Sequence, residues 1–233
     1  MIGGVAVGCI VLWGAFISSG NATIAIFSIL VTLLLGFLLF FFRDPERVIP
    51  DGDNNLVSPC DGTVIAIQPC SEELIGVPGK VMSIFMSVFN VHVNRNTCSG
   101  TVLSVEHRPG RFGHAGSEQA STENEQTQIV IDCSMEGHAP SCPNKSGRDK
   151  TRPSNKIMVT QIAGVLARRI ICRLQSGDEI HKGERFGMIV LGSRLQVTVP
   201  ENVGICVKEG QRVRAGETII GVWENETKSG SMA

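Results

Sequence analysis

Three short segments carry residue types that can do acid–base and acyl chemistry. The first is Phe186-Gly-Met-Ile-Val-Leu-Gly-Ser193-Arg, an apolar run that ends on Gly192-Ser193. Glycine ahead of a serine gives the connecting carbonyl little steric cover and lets the backbone twist. Attack by the serine hydroxyl on the preceding carbonyl requires both. The second segment runs from Phe85 to Arg95. If one strand persists through it, His92 shares a face with Asn90 and Asn94, opposite Phe89, Val91 and Val93. A histidine between polar neighbours suits proton transfer near neutral pH. The third is Ser58-Pro-Cys-Asp-Gly-Thr-Val64, where Asp-Gly before an apolar alternation signals a hairpin. Each has an ordinary reading when taken alone. Asp61 is then a turn former, His92 a structural histidine and Gly192-Ser193 a bare dipeptide.

The elements that must position these residues read as mainly β. Short alternating runs are separated by Gly, Pro, Asn and Asp. In Arg194 to Pro200, Leu195, Val197 and Val199 alternate with Arg194, Gln196 and Thr198, the pattern of a half-buried strand. Gly62 to Gln68, Gln128 to Asp132 and Lys156 to Gln161 predict strands too, and Ala163 to Arg169 fits either a strand or a short helix. Met135 to Asn155, with Pro140, Pro143 and Pro153, reads as a loop inserted between two strands, and the tail from Glu224 as a frayed end. Gly177-Asp-Glu-Ile-His-Lys-Gly183-Glu184 resembles Gly210-Gln-Arg-Val-Arg-Ala-Gly216-Glu217, 33 residues further on. This G-x-x-[IV]-x-x-G-E pattern is similar to the half-motif of lipoyl and biotinyl domains. The expected fold is a β-sandwich or flattened barrel with lipoyl-like hairpins; two ordinary glycine turns are the alternative.

Charge divides the chain. Residues 1–42 contain no Asp, Glu, Lys or Arg, so all 21 basic and 22 acidic residues lie beyond them. Thr23 to Phe42 supplies the ~20 apolar residues that span a bilayer core, while Met1 to Ser18 is short for a span. Ser18, Ser19, Gly20 and Asn21 are turn formers. The expectation is a membrane anchor over 1–42, a transmembrane helical hairpin of one or two spans, and a catalytic β-rich domain over 43–233. No basic n-region precedes the apolar stretch, which argues against a cleaved signal peptide. Arg43 and Arg47 favour a domain on the cytoplasmic face of the inner membrane. The near-neutral charge argues against nucleic acid as a partner. Eight cysteines without a CxxC pair read as free, mostly buried thiols. Cys133, His138 and Cys142 match no common zinc spacing, and no metal is expected.

Taken together, the segments resemble the short bacterial form of the phosphatidylserine decarboxylase family. The resemblance runs through Phe41-Phe-Arg-Asp-Pro-Glu-Arg47, Ser58-Pro-Cys-Asp-Gly62 and Val91-His-Val-Asn-Arg95. It continues through Glu123-Asn-Glu125, Gln161-Ile-Ala-Gly164, Ala167-Arg-Arg-Ile170 and Phe186 to Ser193. It implies a precursor that cleaves itself between Gly192 and Ser193 and converts Ser193 into a covalent pyruvoyl group. That cofactor would form a Schiff base with phosphatidylserine and act as the electron sink for decarboxylation to phosphatidylethanolamine. His92 would be the base and proton donor, oriented by Asp61. The cleaved long and short chains would stay associated; the resemblance leaves homo-oligomer formation open. Arg95, Arg168, Arg169 and Arg194 are the candidates for the lipid phosphate. Arg95 stands near the place where longer relatives carry a second histidine, and Arg194 where they carry threonine.

Two other classes compete. A membrane-tethered adaptor with a lipoyl-like domain explains the anchor and the repeat, but not His92, Asp61 and Gly192-Ser193 together. A membrane-anchored zinc endopeptidase needs a His-x-His pair, and His92 has Asn90 and Asn94 at that spacing.

Overall fold

The computed structural model describes residues 2–72, 77–116, 119–133, 155–165, 169–190 and 192–224. Arg168, His138, Cys142 and all of the predicted 135–155 loop except Asn155 lie outside the described residues. The chain divides into two compact units, Met1–Pro45 and Glu46–Ala233.

The first unit is a pair of apolar helices, α1 (Ile2–Ser19) and α2 (Ala22–Phe41). The polar break predicted between them is where the chain turns. Gly20 takes φ 61° and its N–H closes on the Phe16 carbonyl at 2.8 Å. Asn21 caps α2, its Oδ1 accepting from the Thr23 N–H at 2.9 Å. Polar side chains tie the helices across the hairpin: Trp13 Nε1 donates to Thr32 Oγ1 at 3.0 Å, and Cys9 Sγ lies 3.2 Å from the same oxygen. Of the two, α2 has the length and apolarity to cross a membrane, with 20 residues and a mean hydropathy of 2.9.

The second unit is mainly β. Its strands are β1 (Asn55–Val57), β2 (Gly62–Glu72), β3 (Val77–Met86), β4 (Val93–Arg95), β5 (Gly100–Arg108), β6 (Gln126–Cys133) and β7 (Lys156–Ile162). They continue as β8 (Ile170–Cys172), β9 (Glu179–Ile180), β10 (Arg185–Ile189), β11 (Ser193–Pro200), β12 (Val203–Ile205), β13 (Arg212–Val213) and β14 (Ile219–Trp223). A single-turn helix, α3 (Ala120–Glu123), precedes β6. One eight-stranded sheet runs β13-β2-β3-β11-β7-β6-β5-β9, and two three-stranded sheets run β1-β14-β12 and β4-β10-β8. Leu56, Val64, Ile84, Ile129, Val159, Leu195 and Val197 meet in one core between these layers, each 1% exposed or less.

That strand order is nearly its own mirror, and the predicted repeat is part of the reason. Gly177, Gly183, Gly210 and Gly216 all adopt positive φ, between 75° and 94°. Gly183 N donates to the Asn96 carbonyl and Gly216 N to the Ser58 carbonyl, both at 2.8 Å. Gly177 N donates to Val102 O and Gly210 N to Val64 O, also at 2.8 Å. The partners of the repeat are thus themselves a repeat: Cys60-Asp-Gly-Thr-Val64 matches Cys98-Ser-Gly-Thr-Val102. The sheets β1-β14-β12 and β4-β10-β8 correspond in the same way. The second unit is a pseudo-twofold pair of β-hairpin halves, and β11 and β7 pair at the centre of the large sheet.

Three expectations are corrected. The strand through Phe85 to Arg95 does not persist: β3 stops at Met86, and Ser87–Asn90 form a turn locked by Ser87 N and Oγ donating to Asn90 Oδ1 at 2.9 and 2.8 Å. Phe89 is therefore exposed while Val91 and Val93 are buried. The polar face of Arg194 to Pro200 is not a solvent face, since Arg194 and Thr198 are as inaccessible as the core side. Cys98 and Cys133 are not free thiols. They form a disulfide with Cα atoms 6.0 Å apart, at the end of the β5–β6 ladder, where Gly100 registers with Cys133. A sequence separation of 35 residues concealed a contact set by hairpin register. Of the residues weighed as a metal site, Cys133 is held by this bond.

Candidate active site

The β4-β10-β8 sheet delivers two of the three predicted chemical segments to one place. β10 leads through Val190 to Gly192 and the first residue of β11, Ser193. Gly192 takes φ 65°, a conformation that side-chain-bearing residues avoid. Its N–H points at His92 Nε2, 3.4 Å away. The other ring nitrogen, Nδ1, lies 2.9 Å from the Asn90 carbonyl. A carbonyl only accepts, so Nδ1 carries the proton and Nε2 presents its lone pair to the Gly192 N–H, one residue ahead of the Gly192–Ser193 peptide. The Ser87–Asn90 turn therefore sets the tautomer of His92. The missed signal was Asn90: a side-chain oxygen that accepts from a backbone N–H three residues away favours turns over strands.

Ser193 is fully buried, and its Oγ has no hydrogen-bond partner among the described residues. Its backbone registers with Met86 on β3, and alternation places its side chain on the core face with Leu195. The Gly192 carbonyl faces Gly164. A Cβ on Gly164 would overlap that oxygen and would stand 3.3 Å from Ala115 Cβ. Gly164 was quoted in the sequence only as part of a motif; the structure makes it the neighbour of the carbonyl.

Asp61 has different partners from those expected. Arg47 Nη2 donates to both its oxygens, at 3.0 and 2.8 Å, and the Ala215 N–H donates to Oδ1 at 2.8 Å. The hydrogen bonds of Asp61 run to these groups and not to His92. Arg47 also reaches Glu217 at 3.5 Å. Its side chain is 8% exposed, so it is an internal ion-pair residue rather than a contact to lipid. Next to Asp61, burial first and the carboxylate second push the Cys60 thiol well up from its ordinary range.

The four candidate arginines separate. Arg95 is buried, and its Nη1 donates to the Gly183 carbonyl at 3.0 Å. Arg194 is buried on the face of β11 opposite Ser193, since it registers with Phe85 and Ile162. Arg169 is exposed, and its carbonyl accepts from Val190 N at 3.4 Å, which places it beside the strand end that leads to Gly192. The sequence pointed to Glu123-Asn-Glu125 only as part of a motif and assigned no role to the residues from 109 onward. Asn124 is buried; it accepts from Gly113 N at 2.9 Å and donates to Gly113 O at 2.9 Å and Ala163 O at 2.7 Å. The segment 109–124 itself lines an open cavity of about 490 Å³, with Arg111, His114, Gln119, Glu123 and Asn124 among its walls.

The fold and site thus define a β-domain that buries a serine directly after a glycine whose N–H meets a histidine nitrogen. A family model described as phosphatidylserine decarboxylase matches residues 34–221. A phosphatidylserine decarboxylase proenzyme of Chlorobaculum tepidum is 40% identical over 196 residues, 83% of this chain and 82% of the relative. Proteins of the same name from Syntrophus aciditrophicus and Geobacter sulfurreducens are 41% and 40% identical, covering 86% and 84% of this chain and 84% and 80% of theirs. The chain belongs to the phosphatidylserine decarboxylase family, and it is a carboxy-lyase.

Proposed function

We propose that the chain is a precursor that cleaves itself between Gly192 and Ser193, and that the mature protein decarboxylates phosphatidylserine to phosphatidylethanolamine with a pyruvoyl group made from Ser193. The observation that carries this reading is the Ser193 hydroxyl. A buried hydroxyl without a partner costs about 1–3 kcal/mol, a cost that is understandable when the group is a reactant. Its neighbours fit: a left-handed glycine whose carbonyl is bare on the Gly164 side, and a histidine nitrogen that accepts from the N–H of that same glycine.

In the proposed sequence, Ser193 Oγ attacks the Gly192 carbonyl carbon. The C–N bond breaks, an ester forms, and His92 Nε2 carries the proton from the hydroxyl to the released amine. Loss of the residue-193 Cα proton expels the Gly192 carboxylate, and hydrolysis of the resulting enamine releases ammonia and leaves the pyruvoyl group. That group supplies, through its carbonyl and the substrate amine, the electron sink for the carbanion left by carbon dioxide. His92 is then the proposed carrier of the proton returned to carbon. Asp61 is the proposed third member, acting through the field and backbone of the Ser58–Gly62 turn, whose Pro59 carbonyl accepts from Arg95 N at 2.9 Å. Arg169 is the favoured partner for the lipid phosphate, because it is exposed beside the site.

The reading includes a membrane location, with α2 as the anchor and the lipid headgroup presented at the surface. A cytoplasmic orientation is supported by Arg43, which flanks α2; Arg47 is committed to Asp61. Denaturing mass spectrometry tests the core of the proposal. The active protein should resolve into chains 1–192 and 193–233, and Ser193→Ala should stay at 25.0 kDa and inactive. Wild-type activity from an intact 25.0 kDa chain would defeat it.

A further inference from the structure

Beneath Ser193 lies a polar pair that neither the sheet ladders nor the cleavage chemistry uses. Gln161 on β7 and Asn94 on β4 are both fully buried. Gln161 Nε2 donates to Asn94 Oδ1 at 2.8 Å and to the Ile171 carbonyl at 3.4 Å. The Ile171 carbonyl fixes which way the amide points, since a flipped amide would set oxygen against oxygen. Gln161 Oε1 is therefore at the opposite end, and it has no hydrogen-bond partner among the described residues. A buried acceptor in this state is costly unless something arrives to donate to it.

Sheet register says where that something would sit. Gln161 is directly opposite Leu195, and Ser193 is two residues back along β11 on the same face, opposite Met86. Asn94 Nδ2 reaches Met86 Sδ at 4.0 Å, so Asn94 spans from the cross-strand partner of Ser193 to Gln161. Diagonal neighbours on one face stand roughly 7–8 Å apart, a span that one polar group held at position 193 would bridge to Gln161. Both are buried oxygens without partners. The missing group must donate, and a headgroup amine donates through several N–H bonds.

Resting on the self-processing reading, we propose that Gln161 Oε1 accepts an N–H of the substrate amine at position 193, and that this contact selects amino headgroups. Asn94 is the positioning residue that holds the Gln161 amide in register. Position 193 is closed in the uncleaved chain, so the contact belongs to the cleaved protein.

The test uses full-length cleaved protein whose residue-193 carbonyl has been reduced with borohydride, so that binding is read without turnover. Affinity is measured for phosphatidylserine and for its analogue with hydrogen in place of the amine, both in non-ionic micelles. The wild type should favour the amine by about tenfold or more, the value of one hydrogen bond to a charged group. Gln161→Met, which keeps the length of the side chain but removes the acceptor, should still cleave and lose that preference. Gln161→Glu retains acceptor oxygens and should keep it. A wild type that does not discriminate, a cleaved Gln161→Met that discriminates as well as wild type, or a cleaved Gln161→Glu that does not, each overturns the proposal. Absence of cleavage in the wild type would defeat the parent reading instead.

Discussion

Gly192 sits at φ 65° with nothing within 4 Å of where a Cβ would be, whereas Gly164 is glycine because the Gly192 carbonyl occupies the space of its Cβ. The two therefore fail differently. Gly192→Ala pays only for the left-handed backbone, about 1–2 kcal/mol, and self-cleavage should slow by about tenfold. Gly164→Ala must push the carbonyl itself out of line with Ser193 Oγ, and misplacement by about 1 Å costs about a hundredfold in rate. The harsher loss of cleavage is thus expected at the residue that is not cut. Densitometry of precursor and product chains over time measures both rates, and similar rates in the two variants would contradict the role given to Gly164. Of these residues, Ser193, His92 and Gly192 were legible from type and order. The tautomer of His92 and the space at Gly164 were not, because each depends on a backbone carbonyl, and carbonyls leave no mark in a sequence.

Asn124 ties the segment 109–124 to the site. Asn124 Nδ2 serves Gly113 O and Ala163 O together, and Ala163 precedes the glycine that faces the Gly192 carbonyl. Arg111 N and O meanwhile bond to Glu123 O at 2.7 Å and Glu125 N at 2.9 Å, so the segment folds back on its own end. Asn124→Ala removes three hydrogen bonds and should cost about 2–3 kcal/mol of stability, with slower cleavage. Asn124→Asp should be worse at neutral pH, since a carboxylate would face two carbonyl oxygens where the amide donated. Urea unfolding together with cleavage rate checks the order; an aspartate variant that outperforms alanine would show that the donor contacts are dispensable. At this scale the sequence was informative where one face of a strand is apolar: β2, β6, β7 and β11 all lie where alternation put them, apart from ends of a few residues. It misled at Phe85 to Arg95, where the alternation crosses a turn. It was silent on how 109–124 folds, because that depends on Asn124 bonding to residues 11 and 39 positions away.

The pseudo-twofold of the β unit explains why Asp61 has the partners it has. In one half the Ala215 N–H is capped by Asp61 Oδ1 at 2.8 Å; at the matching place in the other, Ser99 Oγ accepts from Lys182 N at 3.0 Å. The same turn is thus capped by a carboxylate in one half and a hydroxyl in the other. Only the carboxylate half needs a cation, and the segment that precedes β1 supplies it as Arg47. Ile49, two residues on, sits between the paired glycines: a Cβ on Gly183 or on Gly216 would collide with its side chain. The matching Cys-x-Gly-Thr-Val strings were present in the sequence at Cys60 and Cys98, and only half of the symmetry was read from it, through the Gly-Glu turns. The asymmetry allows the two jobs of Asp61 to be separated. Arg47→Met strands a carboxylate that is 13% exposed, and removing one member of a buried pair costs about 3–5 kcal/mol. Adding Asp61→Ser copies the Ser99 arrangement and removes the stranded charge, so stability should return to within about 1 kcal/mol of wild type. If Asp61 only caps a turn, self-cleavage returns with it. If Asp61 supplies negative charge to the His92–Ser193 chemistry, the double variant folds as firmly as wild type yet cleaves about a hundredfold or more slowly, within the range attributed to positioned acid–base groups. The second outcome is expected. Urea unfolding and the cleavage time course, measured on the same preparation, decide between them.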